Sequence, residues 1–472
     1  WRDWSSDVCS SDLLERNGVP EEIRKYIKNL YSSLEGKAVT KSWTSHKFAF
    51  KKGIFQGDPL SPIMFILCFN PVIQDLDIQD KLGYNIEGQK IITVPFADDF
   101  CLVTSNKATQ QRLINKIQLN TTSMGLKLKP AKCRSLSIKA GKPTSIEFKI
   151  KDIAIPTLEN EDHKFLGSIV SYRHREKDIL DYFEKKLTTA LTNIDKLLIR
   201  NEYKTRIYTD YFLPSIRFHL TVNDLCQSHL EKLDALTDRY LKKWFGLPKP
   251  GTLSFLHMPE GLGIKSISNL YLECHTLAHI SSRSKADDIV NHCLNTRLER
   301  EKLWTRKISH TELAENVYLE TQSDNLSLHQ QKEKAKSILT KNTSDFWFSH
   351  VKTLAVQGRF LELIALEKTS MNWKSIAYNL PLGITKFLIN SLCDSLNTNS
   401  NLRRWGKRLT DFCKLCKNKE TLHHALSNCP IALNQGRLTW RHNNILNFWN
   451  NRDRKSTRLN SSHANISYAV FC

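Results

Sequence analysis

Phe96-Ala97-Asp98-Asp99 places two adjacent carboxylates between two short apolar runs, residues 90–95 and 100–104. Strand-forming residues on both sides of a polar pair read as a β-hairpin with the aspartates at its tip. Carboxylates held on a rigid turn suit a divalent cation, because Mg²⁺ takes hard oxygen ligands and usually only one or two carboxylates. Aspartate is also a common turn residue, so the pair by itself reads equally well as an ordinary turn. Upstream lies Gly53-Ile54-Phe55-Gln56-Gly57-Asp58-Pro59-Leu60-Ser61-Pro62. There Gly53 and Gly57 let the backbone approach a ligand closely, and Gln56 offers a planar amide to a base or sugar edge. The plainer reading of the same segment is a Gly-Asp-Pro turn leading into a helix.

Charge is the second constraint. Sixty-nine Lys and Arg stand against 48 Asp and Glu, a net +21 over 472 residues. A large excess of cations favours a polyanionic partner, since neutralising phosphates releases their condensed counterions. Nucleic acid is the expected partner; an anionic membrane is not, because no single basic amphipathic helix concentrates the charge. No apolar run reaches the ~18 residues that span a bilayer, and the N-terminus lacks the pattern of a secretory signal. Twelve cysteines at irregular spacing argue against a disulfide framework. Cys68, Cys101 and Cys133 sit in apolar stretches and read as small core residues.

Along the chain, Pro20 with Glu21 and Glu22 starts a helix carrying Ile23, Ile27, Leu30 and Tyr31 on one face. Short strands are expected around residues 37–50. A helix follows over 59–76, with Ile63, Leu67 and Phe69 inward. After the hairpin comes a helix of about fifteen residues with Leu113, Ile114 and Ile117 inward, stopped near Gly125. Strand-like alternation returns at 126–138 and 146–155. The mixture reads as α+β, with helices on one face of a sheet. Beyond Tyr172 the pattern is helical. Phe183, Leu187, Leu191, Ile194 and Leu198 form one stripe, and Leu230, Leu233, Tyr240, Leu241 and Trp244 another, ended by Gly246 and Pro248. Residues 252–400 stay helical and polar, without a motif tied to chemistry.

The order of the parts then points to a family. Gln56-Gly57-Asp58-Pro59-Leu60-Ser61-Pro62 precedes Phe96-Ala97-Asp98-Asp99. Gly125-Leu126-Lys127-Leu128 with Lys132-Cys133 follows, then Lys164-Phe165-Leu166-Gly167. This series resembles motifs B, C, D and E of the reverse-transcriptase palm. Within that family the chain is most similar to non-LTR retrotransposons that carry a restriction-like endonuclease. Leu14-Glu15-Arg16-Asn17-Gly18-Val19-Pro20 resembles the helix after motif A in that group. Lys243-Trp244-Phe245-Gly246-Leu247-Pro248 and Gly261-Leu262-Gly263-Ile264 resemble its region beyond the thumb.

A third motif, Cys413-x2-Cys416-x7-His424-x4-Cys429, supplies three thiolates and an imidazole, the ligand set of a closed structural zinc site. On residue type alone His423 could replace His424; the family spacing favours His424. The resemblance implies a zinc knuckle before an endonuclease, whose start Thr439-Trp440-Arg441-His442-Asn443-Asn444 is similar to. Arg403, Arg404, Lys407 and Arg408 beside the knuckle suit a grip on nucleic acid.

The resemblance implies an order of parts: a partial reverse-transcriptase fingers and palm at 14–171, a thumb at 172–250 and a helical linker at 251–400. The zinc knuckle and start of the endonuclease follow at 401–450. It implies RNA-directed DNA polymerisation: two-metal nucleotidyl transfer from deoxynucleoside triphosphates to a primer 3′-hydroxyl on an RNA template. Asp98 would be the principal ligand for Mg²⁺ (or Mn²⁺) and Asp99 its support, with Gln56 and Gly57 contacting template or nucleotide. A nuclear site of action after cytoplasmic synthesis is implied as well. The expected partners are an RNA template and a DNA primer or target, with no membrane. Residues 1–13 and 451–472 resemble adapter-derived translations and are set aside as foreign. The motif A aspartate would fall where the first of these lies, so the chain as written is expected to be a fragment without activity. Asp3, Asp7 and Asp12 stand in no motif A context. A non-enzymatic RNA- or DNA-binding remnant is the alternative. A group II intron maturase shares the palm motifs but not the Cys/His cluster, and a domesticated structural protein fits least.

Overall fold

The computed structural model describes residues 9–456 apart from 34, 50–56, 78–81, 87, 159–162, 171, 173–175, 284–287, 305–309, 323–325 and 368–371. Gln56 and residues 53–55 therefore lie outside the described residues, as do 1–8 and 457–472. The chain forms two compact units, Trp1–Arg175 with Ala286–Trp304, and Glu176–Lys285 with Thr305–Cys472.

In the first unit α1 (Cys9–Arg16) and α2 (Glu21–Ser32) lead to a short ribbon of β1 (Glu35–Gly36) and β2 (Phe48–Ala49). Leu14 lies in α1, which starts at Cys9, so residues 9–13 continue one helix with the segment expected to begin at 14. Pro20 precedes α2, and Glu21 and Glu22 occupy its first turn, where the helix dipole favours negative charge. Leu14, Ile27 and Met64 pack as one cluster. Ile23, expected inward, is 50% exposed.

The long helix α3 (Ser61–Asp77) is started by Asp58, whose Oδ1 accepts from the Leu60 N–H at 3.1 Å. Its inner face is Met64, Phe65, Cys68, Phe69, Val72, Ile73 and Leu76, a stripe at i, i+1, i+4 spacing. That stripe leaves Ile63, expected inward, on the outer side, 56% exposed. Then follow β3 (Tyr84–Ile86), β4 (Gln89–Ile91), β5 (Thr93–Phe96), β6 (Asp99–Leu102) and α4 (Lys107–Ser123). Asn106 caps α4 by accepting from the Thr109 N–H at 2.8 Å, and Leu113, Ile114 and Ile117 turn inward as expected.

The remaining strands are β7 (Ile138–Lys139), β8 (Lys142–Pro143), β9 (Lys149–Ile150), β10 (Ile153–Ala154), β11 (His163–Phe165) and β12 (Ser168–Val170). They correct the expected single sheet under helices. The described strands form six separate antiparallel ribbons of two strands each, and helices α3 and α4 provide the packing surface. Residues 126–137, expected as strand, contain instead a single helical turn at Pro130–Lys132, because Pro130 cannot donate to a ladder. Of the three cysteines expected in the core only Cys68 is buried; Cys101 is exposed and Cys133 intermediate.

Among the described residues the second unit is built from helices, with one isolated bridge between Phe412 and Lys419, while α11 (Asp288–Trp304) groups with the first. It contains α5 (Glu176–Lys196), α6 (Asn201–Ile207), α7 (Leu213–Val222), α8 (Gln227–Phe245), α9 (Ser254–His257) and α10 (Ile267–Arg283). Further along come α12 (His310–Thr321), α13 (Leu328–Thr353), α14 (Arg359–Glu367), α15 (Trp373–Asn379) and α16 (Leu382–Leu392). The last are α17 (Asn399–Arg404), α18 (Pro430–Asn434) and α19 (Arg437–Ser456). Phe183, Leu187, Leu191 and Ile194 of α5 and Leu230, Leu233, Leu241 and Trp244 of α8 share one core with Phe255, Leu262, Leu361 and Ile389. Residues 253–274 and 347–393 thus contribute to the same core as the two stripes before them. Leu198, expected in the α5 stripe, lies past the helix end and is fully exposed. Between α6 and α7 the backbone widens into a π turn at Tyr208–Phe212. Pro214 explains it, having no N–H to give and a ring that would press on the Asp210 carbonyl. Among the described residues no helix is long and apolar enough to cross a membrane.

Candidate metal centres

Phe96 pairs with Asp99 to close the β5–β6 ribbon, leaving Ala97 and Asp98 as a two-residue turn. Ala97 takes a φ of +52°, which such tight hairpin turns demand and which a side chain with a Cβ adopts at a cost. Asp98 thus stands at the tip and Asp99 on the first residue of the returning strand. Both are exposed. Among the described residues, no third His, Cys, Asp or Glu converges with them.

The hairpin sits on two helices. Phe100 packs against the Phe65, Phe69, Val72 and Ile73 cluster of α3, and with Leu102 against Leu76, Ile92, Leu113 and Ile117. The helices are tied to each other by Asp75, which accepts from Lys116 Nζ at 2.9 Å and from Asn120 Nδ2 at 2.9 Å. Those two hydrogen bonds hold the Asp75 carboxyl below its ordinary range. Sequence reasoning missed this tie; Asp75 with the i, i+4 pair Lys116 and Asn120 was its only signal.

Around the hairpin, Gly57 has a φ of +98° with open space where a Cβ would stand, so only its backbone conformation calls for glycine. Asp58 Oδ2 accepts from the Tyr31 hydroxyl at 3.3 Å, which joins the Gly-Asp-Pro segment to α2. Gly125 ends α4 at a φ of +75°, and Leu126 and Leu128 then run along the same clusters as Phe100. Lys127, Lys129 and Lys132 stay exposed beside them. Leu166 and Gly167 both take positive φ, +47° and +82°, in the turn joining β11 to β12.

The second centre is built from a turn and a helix end. Cys413 and Cys416 flank a tight loop in which the Cys413 N–H donates to the Asn418 carbonyl at 2.7 Å and Lys417 takes a φ of +64°. His424 opens a π turn over His424–Asn428, and Cys429 precedes Pro430 at the start of α18. The ligand atoms of Cys413, Cys416, His424 and Cys429 all lie within 4.8 Å of one another, and three of the four residues are buried. Cys416 Sγ and His424 Nε2 are 3.2 Å apart. His423 is exposed, with its Nδ1 against the Ser427 hydroxyl at 3.3 Å, outside the cluster. Backbone N–H groups of Cys416 and Leu415 aimed at its sulfur draw the Cys413 thiol down to about 6. Four such ligands at this spacing fit one tetrahedral zinc ion with Zn–S bonds of about 2.3 Å. The donor set is closed, without a place for substrate, so a zinc ion here would hold the fold together.

A cavity of about 950 Å³ opens next to this cluster, bounded by the knuckle and the first turns of α19.

Comparison with known proteins places two families along the chain. Residues 11–170 match the family described as reverse transcriptase (RNA-dependent DNA polymerase), and residues 355–435 the family described as zinc-binding in reverse transcriptase. The chain is 25% identical over 454 residues to the retrovirus-related Pol polyprotein from type-2 retrotransposable element R2DM of Drosophila melanogaster. That alignment takes in 92% of this chain and 40% of the relative. It is 24% identical over 332 residues to the Pol polyprotein from type-1 retrotransposable element R2 of Nasonia vitripennis, 67% of this chain and 31% of that one. A third relative, from the R2 element of Popillia japonica, is 22% identical over 282 residues, 58% of this chain and 46% of its own length. The chain spans less than half the length of the curated relatives it matches. By its polymerase-type domain, its zinc-binding segment and these relatives, the chain belongs to the reverse transcriptases of non-LTR retrotransposons.

Proposed function

We propose that this chain supplies the polymerising centre of an RNA-directed DNA polymerase that extends a DNA primer on an RNA template with deoxynucleoside triphosphates. The observation that carries the reading is the Asp98–Asp99 pair, exposed at the tip of the β5–β6 hairpin and braced from below by Phe100, which packs against α3. A Mg²⁺ (or Mn²⁺) ion binds through one or two carboxylates plus substrate phosphates, which is what an exposed pair on a stiff turn offers. When bound, such ions lower the pKa of the attacking hydroxyl and stabilise charge on the leaving pyrophosphate. Asp98, at the tip, would be the principal ligand for such an ion, and Asp99, fixed by its pairing with Phe96, its support. Gln56 and Gly57 would contact template or incoming nucleotide, and one of the exposed lysines of the 125–132 segment, Lys127, Lys129 or Lys132, would neutralise the departing pyrophosphate. Synthesis in the cytoplasm and action in the nucleus follow from a template and target of this kind.

The test is primer extension by the purified chain on an RNA template with Mg²⁺. Any extension should fall at least a hundredfold in Asp98→Ala, the scale for removing a group that stabilises transition-state charge. Undiminished extension in the Asp98→Ala, Asp99→Ala double variant would overturn the proposal. A second reading rests on the absence of a third converging carboxylate among the described residues. It is a protein that binds RNA or DNA without turnover, and salt-dependent binding with no extension in any variant would favour it.

A further inference from the structure

Residues 100–146 hold nine Lys and Arg and no Asp or Glu. Within that stretch the β7–β8 ribbon sets two of the cations directly opposite each other, Lys139 pairing with Lys142 across a two-residue turn. Like charges at an opposed pair weaken an antiparallel ribbon. Side chains alternate between the faces of a strand, so Ser137 and Thr144 share the face of the two lysines. These two are joined by the Thr144 N–H, which donates to the Ser137 carbonyl at 2.8 Å. Ile138 and Pro143 take the other face. Lys139 and Lys142 are exposed, and among the described residues no ion pair reaches either. The first carboxylate downstream, Glu147, is taken by Lys149 at 3.2 Å.

The ribbon is nevertheless fixed at both ends. At the tip Ala140 and Gly141 take φ of +49° and +71°, as a tight hairpin turn requires, and the Tyr172 hydroxyl donates to the Gly141 carbonyl. At the base the Ser135 N–H donates to the Pro156 carbonyl at 3.0 Å, and the Ser135 carbonyl accepts from the Leu158 N–H at 2.9 Å. A ribbon of two strands is marginal by itself, so these ties hold in place a cationic face that has no internal counter-charge. Ammonium groups flanked by hydroxyls are the side chains that meet phosphate oxygens. Residues 137–144 include no Arg, Asn or Gln to read a base edge. A phosphodiester backbone carries a charge at every nucleotide, and a net charge of +21 favours such a polyanion over a few carboxylates. We infer that the face formed by Ser137, Lys139, Lys142 and Thr144 grips a nucleic-acid backbone without regard to sequence. The contact involves neither aspartate of the hairpin and concerns binding alone, so it stands or falls independently of polymerisation.

Because the whole chain is basic, the experiment needs a readout confined to the ribbon. The full chain is treated with a lysine-acetylating reagent, alone and with mixed-sequence oligonucleotides as DNA duplex, RNA–DNA hybrid and single-stranded RNA. Modified lysines are then mapped by mass spectrometry. The expected result is protection of Lys139 and Lys142 by at least one of the three. Lys139→Gln with Lys142→Gln should lower the log-log salt slope of that binding by about 0.9 for each phosphate no longer neutralised on a duplex, or about 0.7 on a single strand. The thermal midpoint of this double variant should be no lower than the parent's, because an opposed like-charge pair has been removed. Reactivity of both lysines unchanged by every nucleic acid would overturn the inference. So would an unchanged salt slope in the double variant, or equal protection by polyglutamate.

Discussion

Phe100 of β6 meets Phe69 of α3 with ring centres 6.0 Å apart and ring planes inclined by 35°. Among the described residues the two-stranded ribbon carrying Asp98 and Asp99 meets other β structure only at the far end from the aspartates, through the single bridge Gly83–Thr104. Its placement therefore depends on this contact and on Leu102 below it. A ribbon of two strands is only marginally stable by itself. Replacing Phe100 with Ala removes a half-buried ring, so the first unit should lose about 2 kcal/mol, less than a fully buried aromatic costs. Urea unfolding followed at the first unit checks this; a midpoint within error of the parent would show that the hairpin is held otherwise.

Ala97 offers a prediction of opposite sign. Its φ of +52° suits glycine better than alanine. Ala97→Gly should gain the strain released and lose backbone entropy, leaving stability within about 1 kcal/mol of the parent. Ala97→Val places a branched Cβ at the same φ and should destabilise by more than about 1 kcal/mol. Thermal unfolding of the pair discriminates: equal effects of Gly and Val would mean the turn does not hold this conformation in solution.

At the second centre the two neighbouring histidines part company. His424 is buried with its Nε2 at the cluster, whereas His423 is exposed and faces Ser427. His424→Ala should lose bound zinc and leave residues 411–434 open to proteolysis, because three thiolates without the fourth ligand form an incomplete tetrahedral shell. His423→Ala should keep one equivalent of zinc. Metal analysis after gel filtration reads both, and a strong chelator added to the parent should reproduce the His424→Ala pattern.

How much of this was legible beforehand depends on whether the signal was local. The aspartate hairpin, the α4 stripe with Leu113, Ile114 and Ile117, and the Cys/His spacing are each set by residues close in sequence, and the structure forms all three. Ile23, Ile63 and Leu198 were misplaced because an apolar residue one position off a stripe looks the same in sequence. Which side of the helix meets a neighbour decides burial, and that neighbour is distant in the chain. The same limit hid the Asp75 bridge to Lys116 and the cavity between knuckle and α19, since each needs two elements brought together. The expected sheet failed for a related reason. Short alternating runs predict strands, but pairing partners are not written in any one of them.

His257 supplies a prediction in pH. It is buried between Asp238, whose Oδ1 lies 3.1 Å from its Nε2, and the Ile264 carbonyl, 2.8 Å from its Nδ1, and its ring stacks on Trp347 with centres 5.5 Å apart. Burial pushes its pKa down, but the hydrogen bond to Asp238, the charge of that carboxylate and the Ile264 carbonyl together outweigh burial and leave it raised above 6.5. A folded-state pKa above the unfolded one means that protonated His257 stabilises the second unit. That contribution is fully present below the unfolded value near 6.5 and is lost as pH rises through the folded value. The protein should therefore lose stability from about pH 6.5 upward by more than His257→Gln does. The glutamine keeps a hydrogen-bonding side chain there without the titration. Denaturant unfolding of both proteins from pH 6 to 9 makes the comparison. Parallel pH profiles would mean that His257 is neutral in the folded protein and that the pair with Asp238 is an uncharged hydrogen bond.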